Sequence, residues 1–381
     1  MKKFLDCISI VGATPSKFHG TKKYISTGAV ATTEIDESEV VEVTYEDRPS
    51  RANLSAEAGD ILFAKMQGTR KTLLLDSETE KNIYSTGFYA VRANPEVITT
   101  ECLYYLIDSE LFLAQKDKNC SGATQKAITN GGMAKIEISV PPLSEQGILV
   151  DKLKHLTQLI ADKKKQLNLF DEIIKSRFIE MFGTLSCNEH HYPMCALKYA
   201  CRKITDGKHG GCEQEYNSGY YYVGAREIYD GEIHYGTAPQ IVRGDFEKDY
   251  RRCNIEQGDF VLVNTGATIG KSAIAKHPLT ERTLLQKSVA MFKVKTELIS
   301  AVFLKCCYDA NPEMYTVKSA SAQPNLLLSR INSTQIYLPP IELQRQFAAF
   351  VEQVDKSKFE IQQSLEKLEI LKKSLMQQYF G

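Results

Sequence analysis

The chain has no tryptophan, no net charge and no long apolar run. Across its 381 residues, 47 Lys and Arg are balanced by 47 Asp and Glu. A protein that holds nucleic acid unaided usually carries a basic excess, so any such role here falls to local basic patches or to a partner. No stretch approaches 18 consecutive apolar residues, which excludes a membrane-spanning helix. The opening Met1-Lys2-Lys3-Phe4-Leu5-Asp6 lacks the apolar core of a signal peptide. The ten cysteines are irregularly spaced and include the adjacent Cys306 and Cys307. No CxxC pair finds a second pair, so a zinc site is not expected, and isolated thiols fit a reducing cytoplasm.

Catalytic patterns are also missing. Thr265-Gly266-Ala267-Thr268-Ile269-Gly270-Lys271-Ser272 suggests a phosphate loop, but the spacing requires a glycine where Thr265 stands. No Gly-rich dinucleotide fingerprint follows a strand. His190, His191 and His209 have no acidic or cysteine neighbours at metal-ligand spacing. No Asn-Pro-Pro-aromatic tetrapeptide is present to suit amino-methyl transfer, since Asn94-Pro95-Glu96 and Asn311-Pro312-Glu313 read as turns.

What is present is a duplication. Val140-Pro141-Pro142-Leu143-Ser144-Glu145-Gln146 through Met181-Phe182-Gly183 recurs 198 residues later. The second copy runs from Leu338-Pro339-Pro340-Ile341-Glu342-Leu343-Gln344 through Tyr379-Phe380-Gly381. No Pro or Gly interrupts 148–182 or 341–380, and an apolar seam recurs at alternating spacings of four and three. In the first copy it comprises Leu149, Leu153, Leu156, Ile160, Lys163, Leu167, Phe170, Ile174, Arg177 and Met181. In the second it comprises Phe347, Val351, Val354, Lys358, Ile361, Leu365, Leu368, Lys372, Leu375 and Tyr379. The pattern predicts two helices of roughly 50–55 Å sharing one heptad register, packed on each other antiparallel as a coiled coil. Lys163, Arg177, Lys358 and Lys372 interrupt the seam as register pins, as snorkelling side chains at its wet ends, or as contacts to another subunit.

The segments between the helices repeat as well. Gly258-Asp259-Phe260-Val261 answers Gly59-Asp60-Ile61-Leu62, a helical stretch at 297–308 answers 100–111 within a helical pattern near 100–115, and Ser319–Gln323 answers Ser121–Gln125. Short β-type runs alternate with Gly-containing turns, so each segment reads as α+β. The domains are 1–140 and 184–338, with long helices at 141–183 and 339–381, related by a pseudo-two-fold internal repeat.

Candidate polyanion contacts cluster after the Gly-Asp strands. In the first domain they are Lys65, Gln67, Thr69, Arg70 and Lys71, with Lys22, Lys23, Gln125 and Lys126. In the second they are Asn264, Thr265, Thr268, Lys271 and Gln323, with Tyr222 and Arg226. Tyr and Arg in Tyr220–Arg226 suit base edges and phosphates, although alternating tyrosines also pack in ordinary strands.

Duplicated in this order, these motifs resemble the DNA-specificity subunit of type I restriction-modification systems across essentially the whole chain. The second copy departs from this pattern at Leu343, where the first boundary has Glu145, and at Ala320, where the first loop has Gly122. The resemblance implies two target-recognition domains, each reading one half of a bipartite site in double-stranded DNA, with the paired helices setting the separation. Half-sites on one face lie about 34 Å apart, so helices of this length would run past that distance. The resemblance further implies docking of methylation subunits, two in number, and association with restriction and translocation subunits. S-adenosylmethionine, ATP and magnesium would be held by those partners and no cofactor by this chain, which would be a non-catalytic cytoplasmic protein. The alternative is a scaffold whose paired domains bind only proteins.

Overall fold

The computed structural model describes residues 1–316 and 324–381. The chain forms two compact units. Met1–Lys164 with Gln363–Gly381 makes the first, and Lys165–Gln362 makes the second.

In the first unit, a four-stranded antiparallel sheet runs in the order Ile8–Val11, Phe88–Ala93, Ile61–Ala64, Thr72–Leu74. Ile61–Ala64 is buried on both faces, as its uninterrupted apolar run requires. A second sheet runs Val41–Val43, Lys22–Ile25, Ile83–Ser85, Ala52–Leu54, with its central pair parallel. The single helix expected near 100–115 is two, Thr100–Ile107 and Glu110–Lys118. Ser109 divides them by capping the second, its hydroxyl accepting from the N–H of Phe112.

The second unit repeats the plan with its own variations. Its antiparallel sheet runs Cys201–Asp206, Val289–Val294, Phe260–Val263, Ser272–Ile274. The second sheet shrinks to the parallel pair Tyr221–Val223 and Thr283–Leu285, and an 11-residue helix, Arg243–Cys253, is added. Helix Ala301–Ala310 answers Thr100–Ile107, each capped by a hydroxyl, of Ser300 and Thr99 respectively.

The long helices are Leu143–Phe182 and Ile341–Phe380, 40 residues each, or about 60 Å. The first carries Gly147, exposed, in its opening turns. Both start on the Pro-Pro pair: Pro142 and Pro340 offer their carbonyls to the N–H groups of Gln146 and Gln344 at 3.2 Å. Proline sets φ for the first turn and gives up an N–H that no helical carbonyl would meet.

Within each unit the helices run antiparallel, as expected. In the first, Leu149, Val150 and Leu153 share a core with Met376 and Phe380. In the second, Phe178 and Phe182 share a core with Phe347 and Val351. Nineteen of the 20 seam positions are buried or half-buried; only Arg177 is exposed, pairing with Glu180 on its own helix at 2.8 Å. The seam pattern passes over Val150, Phe178, Phe182, Met376 and Phe380, all buried. Near its ends each helix packs on a globular domain as well as on the other helix, so a second face is covered there.

Candidate nucleic-acid interface

Each Gly-Asp motif locks the turn that starts a central strand. Gly59 and Gly258 have φ of +87° and +95°, conformations a side chain resists. The Asp60 carboxylate accepts from the N–H of Glu57 at 2.8 Å and from Arg92 Nε at 2.6 Å. Asp259 accepts from the N–H of Glu256 and from Lys293 Nζ, both at 2.8 Å. Burial raises the Asp259 pKa, with Lys293 opposing. These aspartates are held by the protein itself and position the hairpin that follows.

In the first domain the hairpin tip 65–71 is tied to the loop 121–128. The N–H of Gln67 donates to the Lys126 carbonyl at 3.0 Å, and the N–H of Ile128 donates to the Lys65 carbonyl at 2.9 Å. The structure thereby brings Lys65, Gln67, Thr69, Gln125 and Lys126 onto two adjoining loops. Gln125 and Lys126 are exposed. The Gln67 amide donates to the Asp117 carbonyl at 3.2 Å. Lys65 Nζ lies 4.3 Å from the Tyr89 ring centre and donates to the Thr86 carbonyl, and burial lowers its pKa.

Two neighbours are engaged elsewhere. Arg70 forms a two-pronged pair with Asp108, both bonds 2.8 Å, which holds the guanidinium pKa above its ordinary value. It lines a cleft of about 650 Å³ beside the long helices, with Ile160, Lys164, Lys372 and Met376. Lys71 Nζ donates to the Thr27 carbonyl at 2.5 Å. Lys22 and Lys23 lie on the second sheet, Lys22 Nζ 5.2 Å from the Phe18 ring centre and Lys23 paired with Glu37 at 2.7 Å.

The second domain repeats the arrangement with different ties. Leu326 N–H donates to the Asn264 carbonyl at 2.7 Å, Gly266 N–H to the Pro324 carbonyl at 3.0 Å, and Thr265 Oγ1 to Asn325 Oδ1 at 3.1 Å. Asn264 is 3% exposed, so its side chain serves the loop junction instead of facing a ligand. Thr268 is half-buried, its carbonyl accepting from the N–H of Lys271, and Lys271 is exposed. Lys271 leads into strand Ser272–Ile274, whereas a phosphate loop opens a helix. The Tyr222 hydroxyl donates to the Gly210 carbonyl at 2.6 Å. Arg226 is exposed on the short turn Ala225–Glu227. Gln323 lies outside the described residues. Among the described residues, no cluster of three or more His, Cys, Asp or Glu is placed to hold a metal ion.

The basic seam positions have separate fates. Lys358 reaches Asp171 on the opposite helix at 2.7 Å, within the second unit. Lys372 is half-buried, 6.0 Å from the Tyr105 ring centre, and burial lowers its pKa. Lys163 is half-buried. A further cross-helix pair in the first unit, Lys164–Glu369 at 3.0 Å, flanks the seam.

The boundary glutamines are two clamps that sequence reading noted only as motif ends. Gln146 accepts from the N–H of Thr99 and donates to the carbonyls of Val97 and Pro141. Gln344 does the same with Ser300, Leu298 and Pro339. Both are fully buried. A glutamine five residues after the first proline of the Pro-Pro pair, in both copies, was the available signal.

A pair of α+β domains, each clamped to a long helix and carrying a loop-backed hairpin, defines a duplicated recognition protein. Two stretches, residues 10–169 and 203–372, match the family described as the type I restriction modification DNA specificity domain, and the chain belongs to that family. A curated relative, the type I restriction enzyme EcoBI specificity subunit of Escherichia coli, is 22% identical over 303 residues. The match covers 71% of this chain and 63% of the relative's length. A solved chain described for complex assembly and conformational transition of the type I R-M system shares the fold with a TM-score of 0.57 at 18% identity, covering 98% of this chain and 97% of that one. The type I restriction-modification S subunit of M. genitalium does so with 0.55 at 13% identity, covering 100% and 95%. Among the described residues, no helix is long and apolar enough to cross a membrane.

Proposed function

We propose that the chain is a non-catalytic DNA-recognition subunit of a type I restriction-modification complex. Each domain reads one half of a split site in double-stranded DNA, and the long helices set the spacing and dock two methylation subunits. The observation that carries this reading is the repeated surface: in both domains a hairpin tip is backed by a second loop and presents exposed polar and basic groups. Lys126, Arg226 and Lys271 suit phosphate contacts, and Gln67 and Gln125 suit base edges. Zero net charge fits a reader that shares its DNA clamp with partners. Methyl transfer and cleavage belong to the methylation and restriction subunits, which bind S-adenosylmethionine, ATP and magnesium.

The test is DNA binding by this chain with and without methylation subunits, across about 50–200 mM salt. Affinity that rises with the partner and falls steeply with salt supports the reading. Salt-insensitive association with proteins alone would favour the scaffold.

A further inference from the structure

Lys116 lies on helix Glu110–Lys118, where a lysine would ordinarily face solvent, yet it is 1% exposed. Its Nζ donates to the carbonyls of Thr69 at 2.8 Å and Met66 at 2.9 Å, and the Asp117 carboxylate stands 3.2 Å away. A buried ammonium is costly unless its protons are met. Here the two acceptors belong to the hairpin tip, so the tip is gripped by its backbone from the protein side. Gln67 and Gly68, between the gripped carbonyls, stay exposed.

Tyr315 follows the domain helix Ala301–Ala310, as Lys116 follows its counterpart Thr100–Ile107. Tyr315 supports the second tip by packing. Gly270 lies so close to its ring that a β-carbon there would meet Cε2 at 2.4 Å, and its φ is +98°. Tyr308 stacks on the Tyr315 ring with centroids 6.5 Å apart. The segment after the domain helix thus supports the hairpin tip by hydrogen-bond donors in one domain and by an aromatic face in the other.

We propose that Lys116 and Tyr315 are positioning residues: each sets the shape of its domain's hairpin tip and, through it, the base preference of the half-site that domain reads. This rests on the DNA-recognition reading above. Unlike supports under equivalent tips give one scaffold two different specificities without altering the sheet beneath.

The test maps methylated motifs genome-wide in cells carrying the full complex with the wild-type chain, K116M, Y315L or the exposed-site control K118M. K116M keeps the length of the side chain and removes its donors. It is expected to lower discrimination about tenfold at one or more base pairs of one half-site and leave the other half sharp. Y315L is expected to do the converse, and K118M to change neither. The salt dependence of DNA binding, set by phosphate contacts, should not change, which a general loss of structure would not allow. K116M that leaves both halves sharp, or blurs both equally, overturns the proposal. If K116M does not accumulate, K116R and Y315L decide it: K116R should preserve the motif, and Y315L with both halves sharp overturns the proposal. A wild-type complex that methylates no bipartite motif would overturn the recognition reading and this inference with it.

Discussion

The side-chain oxygen of Gln146 accepts the backbone N–H of Thr99 at 2.7 Å, joining the first turn of a long helix to the cap of a domain helix. The same amide group donates to two carbonyls, so all its strong bonds are internal. Leucine at this place would strand one N–H and two carbonyls in a buried site. Q146L is expected to cost about 2–4 kcal/mol in urea unfolding, and Q344L a similar amount through Ser300, Leu298 and Pro339. Unchanged stability in both would contradict the clamp.

Lys71 and Lys271 stand at equivalent strand entrances but do different work. Lys71 is tied to the Thr27 carbonyl, and Lys271 is exposed. K271A is expected to weaken DNA binding uniformly across sequences and reduce the salt slope by about 1. K71A should leave the slope unchanged and lower thermal stability instead. Equal slopes for wild type and K271A would remove Lys271 from the interface.

The helix seam should draw its stability from apolar burial. A double-mutant cycle on Lys358 and Asp171, a pair open to solvent on its Asp171 side, is expected to give less than about 1 kcal/mol. L153A, at a fully buried position, should cost about 2–5 kcal/mol. Chemical denaturation of the variants measures both.

Lys372 makes stability depend on alkaline pH. Burial lowers its folded-state pKa, so between that value and the ordinary lysine value the unfolded chain binds more protons. Stability from this group therefore rises as pH rises through the window. K372M should be slightly more stable than wild type at neutral pH, by up to about 1 kcal/mol. The difference should shrink as pH approaches the ordinary lysine range. Melting temperatures of both chains over that range test it, and a constant difference would contradict it.

The periodic and repeated features were legible in the sequence because they recur at fixed spacing. The seam from Leu149 to Met181, its copy from Phe347 to Tyr379, and the hairpin strands after Asp60 and Asp259 stand where the pattern puts them. What the sequence could not show was which polar groups the protein keeps for itself. Arg70 looks like a phosphate contact until the fold brings Asp108 to it. Asn264 looks like a base reader until the fold buries it and turns its amide toward the Leu326 carbonyl. Lys116 was invisible for the opposite reason, since a buried lysine and a solvated one look alike on a helix. Phe178 and Phe182 fell outside the seam because a heptad pattern describes one face, and the helix ends bury two.

The central claim is that each domain reads one half of a bipartite site. It is tested most directly by replacing residues 1–140 with those of a relative of different specificity, keeping Pro141 onward, and mapping the methylated motif in cells. The account predicts that one half-site changes to the relative's while the other half and the spacer stay as they were. A change in both halves, or in neither, would contradict it.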